Sequence, residues 1–168
     1  MENNVDITNK EISTTFNSFL DSSRVWIYQS NRNLTDEEVN TIKDKTTIFL
    51  NDWKAHGTAL KAAADILYNR FLIIMVDEHT ANATGCSIDS SVHFVQSLQE
   101  KYQLDFFDRL QIAYKTAEGN IASFRLAEKD ELLKADALTQ ETIIFNNTVT
   151  TKKDWDNSWE IPIKDSWM

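Results

Sequence analysis

Apolar and polar positions alternate with two different periods along this chain, and the change of period predicts a mixture of strands and helices. The longest apolar run, residues 71–76, has the length of a strand that is buried on both faces. Residues 24–29 are rich in β-branched and aromatic side chains, and in residues 109–115 Leu110, Ile112 and Tyr114 alternate with Gln111 and Ala113. Residues 59–70 are alanine-rich and compatible with a helix. We favour a strand there, because strand-forming side chains continue through residues 66–74.

Two amphipathic helices are predicted between these strands. Thr35 and Glu38 have the spacing of a capping box, so the first helix is expected to begin there. It is expected to run to about Ala55 and to end at Gly57, since glycine is the common C-terminal cap. The second helix follows Gly85, where apolar residues recur at helical spacing.

The order of elements over residues 24–115 is βαββαβ, which is the order of a ferredoxin-like core with a four-stranded antiparallel sheet and two helices on one face. We therefore predict an α+β fold with this ferredoxin-like core. A helix at residues 8–20 precedes the core, and a C-terminal α/β extension at residues 116–168 packs on it. With three glycines and one proline the chain has no flexible linker, so residues 1–168 are expected to form a single domain.

Within the extension, residues 121–125 are predicted to form a strand and residues 126–135 a charged amphipathic helix. Residues 142–151 resemble a hairpin with Asn146 and Asn147 at its bend, because asparagine tolerates positive φ.

Three of the five tryptophans follow in the last part of the chain. We favour a tail that folds back over the open face of the sheet, although the tryptophans could also dock a partner. Such a tail would leave a cleft, and Asn146, Asn147 and the aromatic side chains of the tail are expected to line it as ligand-binding residues.

Charge and hydropathy narrow the classes of function. The net charge is −9 and the pI is about 4.8, which disfavours binding to nucleic acid or to an anionic membrane surface. No apolar run approaches the ~20 residues of a membrane-spanning helix, and the polar, acidic N-terminus does not resemble a secretory signal. The single cysteine cannot form an internal disulfide. We therefore expect a cytoplasmic protein.

The strongest candidate for a site is the corner where the strand at residues 71–76 leads through a loop into the second helix. Thr84, Gly85 and Ser87 offer hydroxyl groups, close backbone approach and a helix N-terminus, which together could hold a small anion such as phosphate, carboxylate or sulfate, or a peptide. Asp89 lies just inside the helix. The simpler interpretation is that Thr84 or Ser87 caps the helix and Asp89 sits favourably in its first turn.

The same corner holds Cys86, which could be a catalytic nucleophile. A helix N-terminus stabilises a thiolate, and His79 or His56 could act as the base in acyl transfer or thiol chemistry. We favour instead a Cys86 that is buried and packs the helix against the sheet. Asp77 and Glu78 beside His79 could in principle bind a metal, but no second histidine stands at ligand spacing, so neither a metal nor a cofactor is expected.

The chain resembles a small uncharacterised bacterial family whose members are often labelled "ABC transporter ATPase". The resemblance is carried by residues 53–57, residues 68–71, the segment GCSIDSS at residues 85–91, residues 145–147, and residues 159–167. It spans nearly the whole chain. The label implies a nucleotide-binding motor.

The phosphate-binding motif of such a motor is absent. A Walker A loop ends in Gly-Lys-Ser/Thr, whereas the three glycines here precede Thr58, Cys86 and Asn120, and the signature LSGGQ does not occur. We therefore predict a non-catalytic binding or interaction protein with its pocket near Gly85 and Cys86. Its partner would be a small anion or a protein, including a second copy of this chain. A Cys86-dependent enzyme is the alternative.

Overall fold

The computed structural model describes residues 13–79 and 81–168. Within these residues the chain forms four helices and three small antiparallel sheets, so the predicted mixture of helices and strands is confirmed. The strands are β1 (Arg24–Gln29), β2 (Lys54–Ala55), β3 (Thr58–Ala59), β4 (Lys61–Leu67), β5 (Phe71–Asp77), β6 (Gln111–Lys115), β7 (Ile121–Arg125), β8 (Ile143–Phe145) and β9 (Glu160–Pro162). The helices are α1 (Asp36–Asn51), α2 (Gly85–Tyr102), α3 (Lys129–Lys134) and α4 (Lys152–Ser158).

The main sheet has the order β1-β5-β4, with both pairs antiparallel. Strand β5 is central, and all seven of its residues are buried, as its continuous apolar sequence predicts. Its side chains therefore have to be covered on both faces of the sheet.

The helices α1 and α2 cover one face. Leu72, Ile74 and Val76 of β5 pack there in one apolar cluster with residues of both helices. The helical contacts come from Ile42 of α1 and from Val95 and Leu98 of α2. This layer matches the helix layer expected from the sequence.

The C-terminal part of the chain covers the opposite face. Phe71, Ile73 and Met75 pack there against Trp155 and Trp159, both of which are buried. The prediction that the tryptophan-rich tail folds back over the sheet is thereby confirmed for these two side chains. Trp167, near the end of the chain, is 51% exposed.

A second sheet has the order β7-β6-β8-β9. The ferredoxin-like prediction placed residues 109–115 in one four-stranded sheet with β1, β4 and β5, but β6 pairs with β7 on one edge and with β8 on the other. The ferredoxin-like topology is therefore not confirmed. Strand β7 follows β6 after a short turn, so their pairing closes a much smaller loop than a return to β1 would.

Helix α1 is shorter than predicted. It begins at the predicted capping box of Thr35 and Glu38, but it ends at Asn51 rather than near Ala55. His56 and Gly57 have φ of 50° and 78° and form the turn between β2 and β3, because a two-residue hairpin turn of type I′ needs positive φ at both positions.

Two further predictions differ at the ends of the chain. Residues 13–20 form turns rather than a helix, and the predicted start of that helix at residue 8 lies outside the described residues. The chain does bend after Phe145, but the two arms of the predicted hairpin do not pair with each other. Strand β8 pairs with β6 and β9, and Thr151 forms a bridge with Arg24 of β1.

Candidate functional site

A cavity of about 530 Å³ lies along the outer edge of β1, between the main sheet and the C-terminal part of the chain. Its size is within the range of pockets for small organic ligands. On the side of the helices it is lined by Ile88 and Val92 of α2 and by Phe107, whose ring contacts Tyr28 at 5.6 Å between centroids. On the side of the C-terminal part of the chain, the cavity is lined by Val149 and its neighbours Thr148 and Thr150. We refer to this cavity as the β1 cleft.

The backbone groups of β1 point alternately towards β5 and away from it. Ser30 donates its N–H to the carbonyl oxygen of Arg70 at 2.8 Å. The backbone N–H and C=O groups of the even-numbered residues of β1 therefore point towards β5. Val25 donates its N–H outwards, to the carbonyl oxygen of Thr150 at 2.9 Å. Ile27 also points outwards, and its N–H and C=O have no hydrogen-bond partner among the residues that the structure describes.

A chain of side-chain hydrogen bonds closes the far end of the β1 cleft. Gln29 donates from Nε2 to the carbonyl oxygen of Gln111 at 3.1 Å, which joins the main sheet to the second sheet. Asn147 donates from Nδ2 to Oε1 of Gln29 at 2.9 Å, and Trp159 donates from Nε1 to Oδ1 of Asn147 at 3.0 Å. These polar side chains are therefore held in fixed orientations before any ligand arrives.

Two charged residues line the β1 cleft, and one of them is neutralised. Asp108 forms an ion pair with Arg125. The backbone N–H of Leu110 and then the Arg125 guanidinium hold the pKa of Asp108 below its ordinary value. Arg109 is exposed, and no ion pair joins it to another residue in the described ranges. The cleft thus combines apolar walls with one cation that has no counter-charge there.

The corner around Gly85 is a well-capped helix start. Thr84 and Ser87 form a reciprocal capping box, with the Thr84 N–H donating to the Ser87 hydroxyl at 2.7 Å. Glu78 accepts the N–H of Ala83 at 3.2 Å, which puts a carboxylate beside the loop. A Cβ at Gly85 would meet no atom within 4 Å, so close backbone approach does not require glycine there. Asp89 is exposed one turn into the helix.

Cys86 is exposed, so the prediction that it is buried and packs α2 against the sheet is wrong. The apolar side of α2 faces the sheet through Val95 and Leu98, and Cys86 lies on another side of the helix. His79 and His56 are exposed too, and neither forms a hydrogen bond with Cys86 within residues 13–79 and 81–168. The structure does not bring the predicted nucleophile and its predicted bases into hydrogen-bond contact.

The two asparagines at the bend have different positions. Asn147 lines the β1 cleft, whereas Asn146 accepts the N–H of Thr148 at 3.1 Å and stabilises the bend itself. Asp77 accepts the N–H of His79 and forms an ion pair with Lys61. In the described part of the chain, no group of three or more histidine, cysteine, aspartate or glutamate residues could hold a metal ion. None of the described helices is long and apolar enough to cross a membrane.

Sequence reasoning missed most of the β1 cleft. The sequence pattern identifies Ile27 and Gln29 only as strand residues, and nothing in a strand pattern shows which edge will remain unpaired. Phe107 and Arg109 carried a weak signal, since two aromatic residues followed by two charged ones stand in the segment before β6. Comparison with known proteins adds no relative: no family model matches the chain, and no match was found among curated proteins or solved structures.

Proposed function

We propose that this protein is a non-catalytic binding protein that holds a small, largely apolar ligand in the β1 cleft. The observation that carries the proposal is the cavity of about 530 Å³, which has apolar walls and a few fixed polar groups. Binding pockets commonly have this composition, because apolar walls supply affinity and a few polar groups fix orientation. The cleft also borders α2, the helix whose first turn the sequence had singled out.

The proposal is tested with 8-anilinonaphthalene-1-sulfonate, an aromatic probe whose fluorescence rises in apolar surroundings. We expect saturable binding to a single site. Replacing Ile88, which lines the cleft, by tryptophan should fill part of the cavity and weaken binding by about tenfold or more. The matched control is Ile48→Trp, because Ile48 is 66% exposed on α1 and does not line the cleft.

The outcomes separate clearly if both variants keep the circular dichroism spectrum of the parent protein. Loss of binding in Ile88→Trp with retention in Ile48→Trp supports the cleft as the site. Equal binding by all three proteins would place the probe elsewhere and overturn the proposal. Absence of saturable binding to the parent protein would overturn it as well.

Thiol chemistry at Cys86 is the alternative function. The exposure of the Cys86 side chain favours it, since a reactive thiol has to be accessible. A nucleophile of this kind also needs a base within hydrogen-bond reach. Because no described histidine forms such a bond with Cys86, we favour the binding protein.

A further inference from the structure

We infer that the ligand of the β1 cleft is a short apolar peptide with a free carboxylate end, which pairs as an added strand with the outer edge of β1 at Ile27. The inference rests on the proposed function and names the class of ligand. It is carried by the geometry of the strand edge, by the length of that edge, by the two walls and by the charge at Arg109.

The outer edge of β1 can pair with an additional strand. Thr150 and Lys152 already pair with it at one end, where Val25 donates to Thr150 and Lys152 donates to the carbonyl oxygen of Ser23 at 2.8 Å. Beyond that point the chain turns away, and the cavity lies where the predicted fourth strand of a ferredoxin-like sheet would have run. The N–H and C=O of Ile27 face this space. A peptide that extends a sheet uses such a donor and acceptor pair.

The length of the open edge limits the peptide to a few residues. At one end the edge is closed by Thr150 on Val25, and at the other by the side chain of Gln29 on Gln111. From Val25 to Gln29 the strand covers about 13 Å, at the usual rise of about 3.3 Å per residue. About three residues of an extended peptide fit this distance.

The two walls determine the side chains that the peptide should carry. Successive side chains of a strand point to opposite faces. A strand added here would place one side chain between β1 and the helical wall, near Tyr28 and Val92, and the next near Val149 on the other wall. The helical wall is apolar, and the opposite wall holds Phe145 and Val149 beside Thr148 and Thr150, so a peptide with apolar residues at successive positions is favoured over one that alternates apolar and charged residues.

Arg109 determines the charge that the ligand should carry. It lines the cleft, it is exposed, and its neighbour Asp108 is already paired with Arg125. On a protein of net charge −9, this cation favours a ligand with a carboxylate. A free peptide C-terminus supplies one without adding a polar side chain to the apolar walls.

The probe for the test is acetyl-Leu-Val-Leu with a free carboxylate. Ile27→Pro removes the outward N–H but leaves the ladder with β5 intact, because proline is tolerated where the N–H of an edge strand points outwards. Ile27→Ala is the matched control, since it removes the same side chain and keeps the N–H. We expect the peptide to bind Ile27→Pro at least about tenfold more weakly than Ile27→Ala.

A second measurement covers the case in which Ile27→Pro does not fold. In the unmodified protein, the peptide should shift the amide resonance of Ile27 and slow its hydrogen exchange. The analogue that is N-methylated at the central valine, and has lost one donor, should bind more weakly. An unmoved Ile27 resonance on saturation with peptide, or equal affinity for Ile27→Pro and Ile27→Ala, would overturn the inference.

The carboxylate is tested separately. The peptide with an amidated C-terminus should bind about two- to fivefold more weakly than the free acid, and this difference should disappear in Arg109→Gln. If the aromatic probe binds in the cleft but no peptide binds at millimolar concentration, the inference fails and the proposed function stands. If Ile88→Trp leaves the binding of both probe and peptide unchanged, the proposed function itself fails.

Discussion

Arg70 carries a buried positive charge whose hydrogen-bond acceptors in the described part of the chain are neutral, and replacing it gives the sharpest test of how the two sheets are held together. The residue is 4% exposed. Its guanidinium donates to the carbonyl oxygen of Ser30 at 2.8 Å, to Oδ1 of Asn33 at 3.1 Å and to the hydroxyl of Ser123 at 3.1 Å. No carboxylate pairs with it among the described residues, and burial lowers the pKa of Arg70 below its ordinary value.

The loss of stability expected on replacing Arg70 follows from these three hydrogen bonds. Hydrogen bonds from a charged donor contribute about 1.5–3 kcal/mol each to the free energy of unfolding. The cost of removing the charge from water offsets several kcal/mol of this contribution. Arg70→Met relieves the buried charge but leaves the buried carbonyl oxygen of Ser30 without this donor. We expect a net loss of about 3 kcal/mol in the free energy of unfolding, which lowers Tm by about 6–12 °C in a protein of this size.

Arg70→Lys separates geometry from charge. Lysine keeps the charge in the same buried site but cannot reach three acceptors that the planar guanidinium joins. We therefore expect Arg70→Lys to lose at least as much stability as Arg70→Met. The control is Arg32→Met, because the Arg32 side chain is 44% exposed and its ion pair with Glu38 should contribute less than about 1 kcal/mol.

The measurement is urea unfolding, followed by tryptophan fluorescence and by far-ultraviolet circular dichroism, with coincident transitions as the sign of two-state behaviour. Two results would refute the reasoning. One is an Arg70→Lys protein within about 0.5 kcal/mol of the parent, since the fork of hydrogen bonds would then contribute little. The other is an Arg70→Met protein that is as stable as the parent.

Two further predictions concern other charged groups. Lys115 forms a buried ion pair with Glu160, which also accepts a hydrogen bond from Tyr68. Lys115→Met should lower the free energy of unfolding, measured in urea, by about 3–5 kcal/mol, because the Glu160 carboxylate stays buried. The double variant Lys115→Met/Glu160→Leu should regain most of this loss, and no recovery would contradict the explanation. Arg32 and the backbone N–H of Thr35 lower the pKa of Glu38 from 4.5 to about 2, so its contribution is complete above about pH 4.5 and is lost as the pH falls towards 2. The stability difference between the parent and Glu38→Gln should therefore shrink over this range, and a constant difference would show that the charge is not responsible.

Local features were predictable from the sequence because they depend on neighbouring residues. The capping box of Thr35 and Glu38 begins α1 as expected, and the apolar run of β5 lies at the centre of a sheet. The tail tryptophans could be placed over the sheet because large apolar side chains have to be buried somewhere. The end of α1 was not predictable, since His56 and Gly57 suit a helix cap and a hairpin turn equally well.

The candidate site was accessible to prediction only in part. A cleft beside Asn147 was anticipated, and Asn147 does line the β1 cleft. The pattern at Gly85 and Cys86 marks almost every helix start, so it is not specific for a binding site. Arg70 and Gln29, which join the two sheets, stand in ordinary strand and turn segments and gave no signal of their own.

The sequence by itself determined most of the strands and helices, because period and capping are read over a few residues, although residues 13–20 form turns where a helix was predicted. The tertiary structure decided which strands pair. Strand β6 had two possible partners, and β7 was nearer along the chain, so the outer edge of β1 at Ile27 stayed open and the cleft formed beside it. Such a choice depends on competition between distant segments and on the cost of closing the loops between them, and a pattern of residues along one segment does not contain that information.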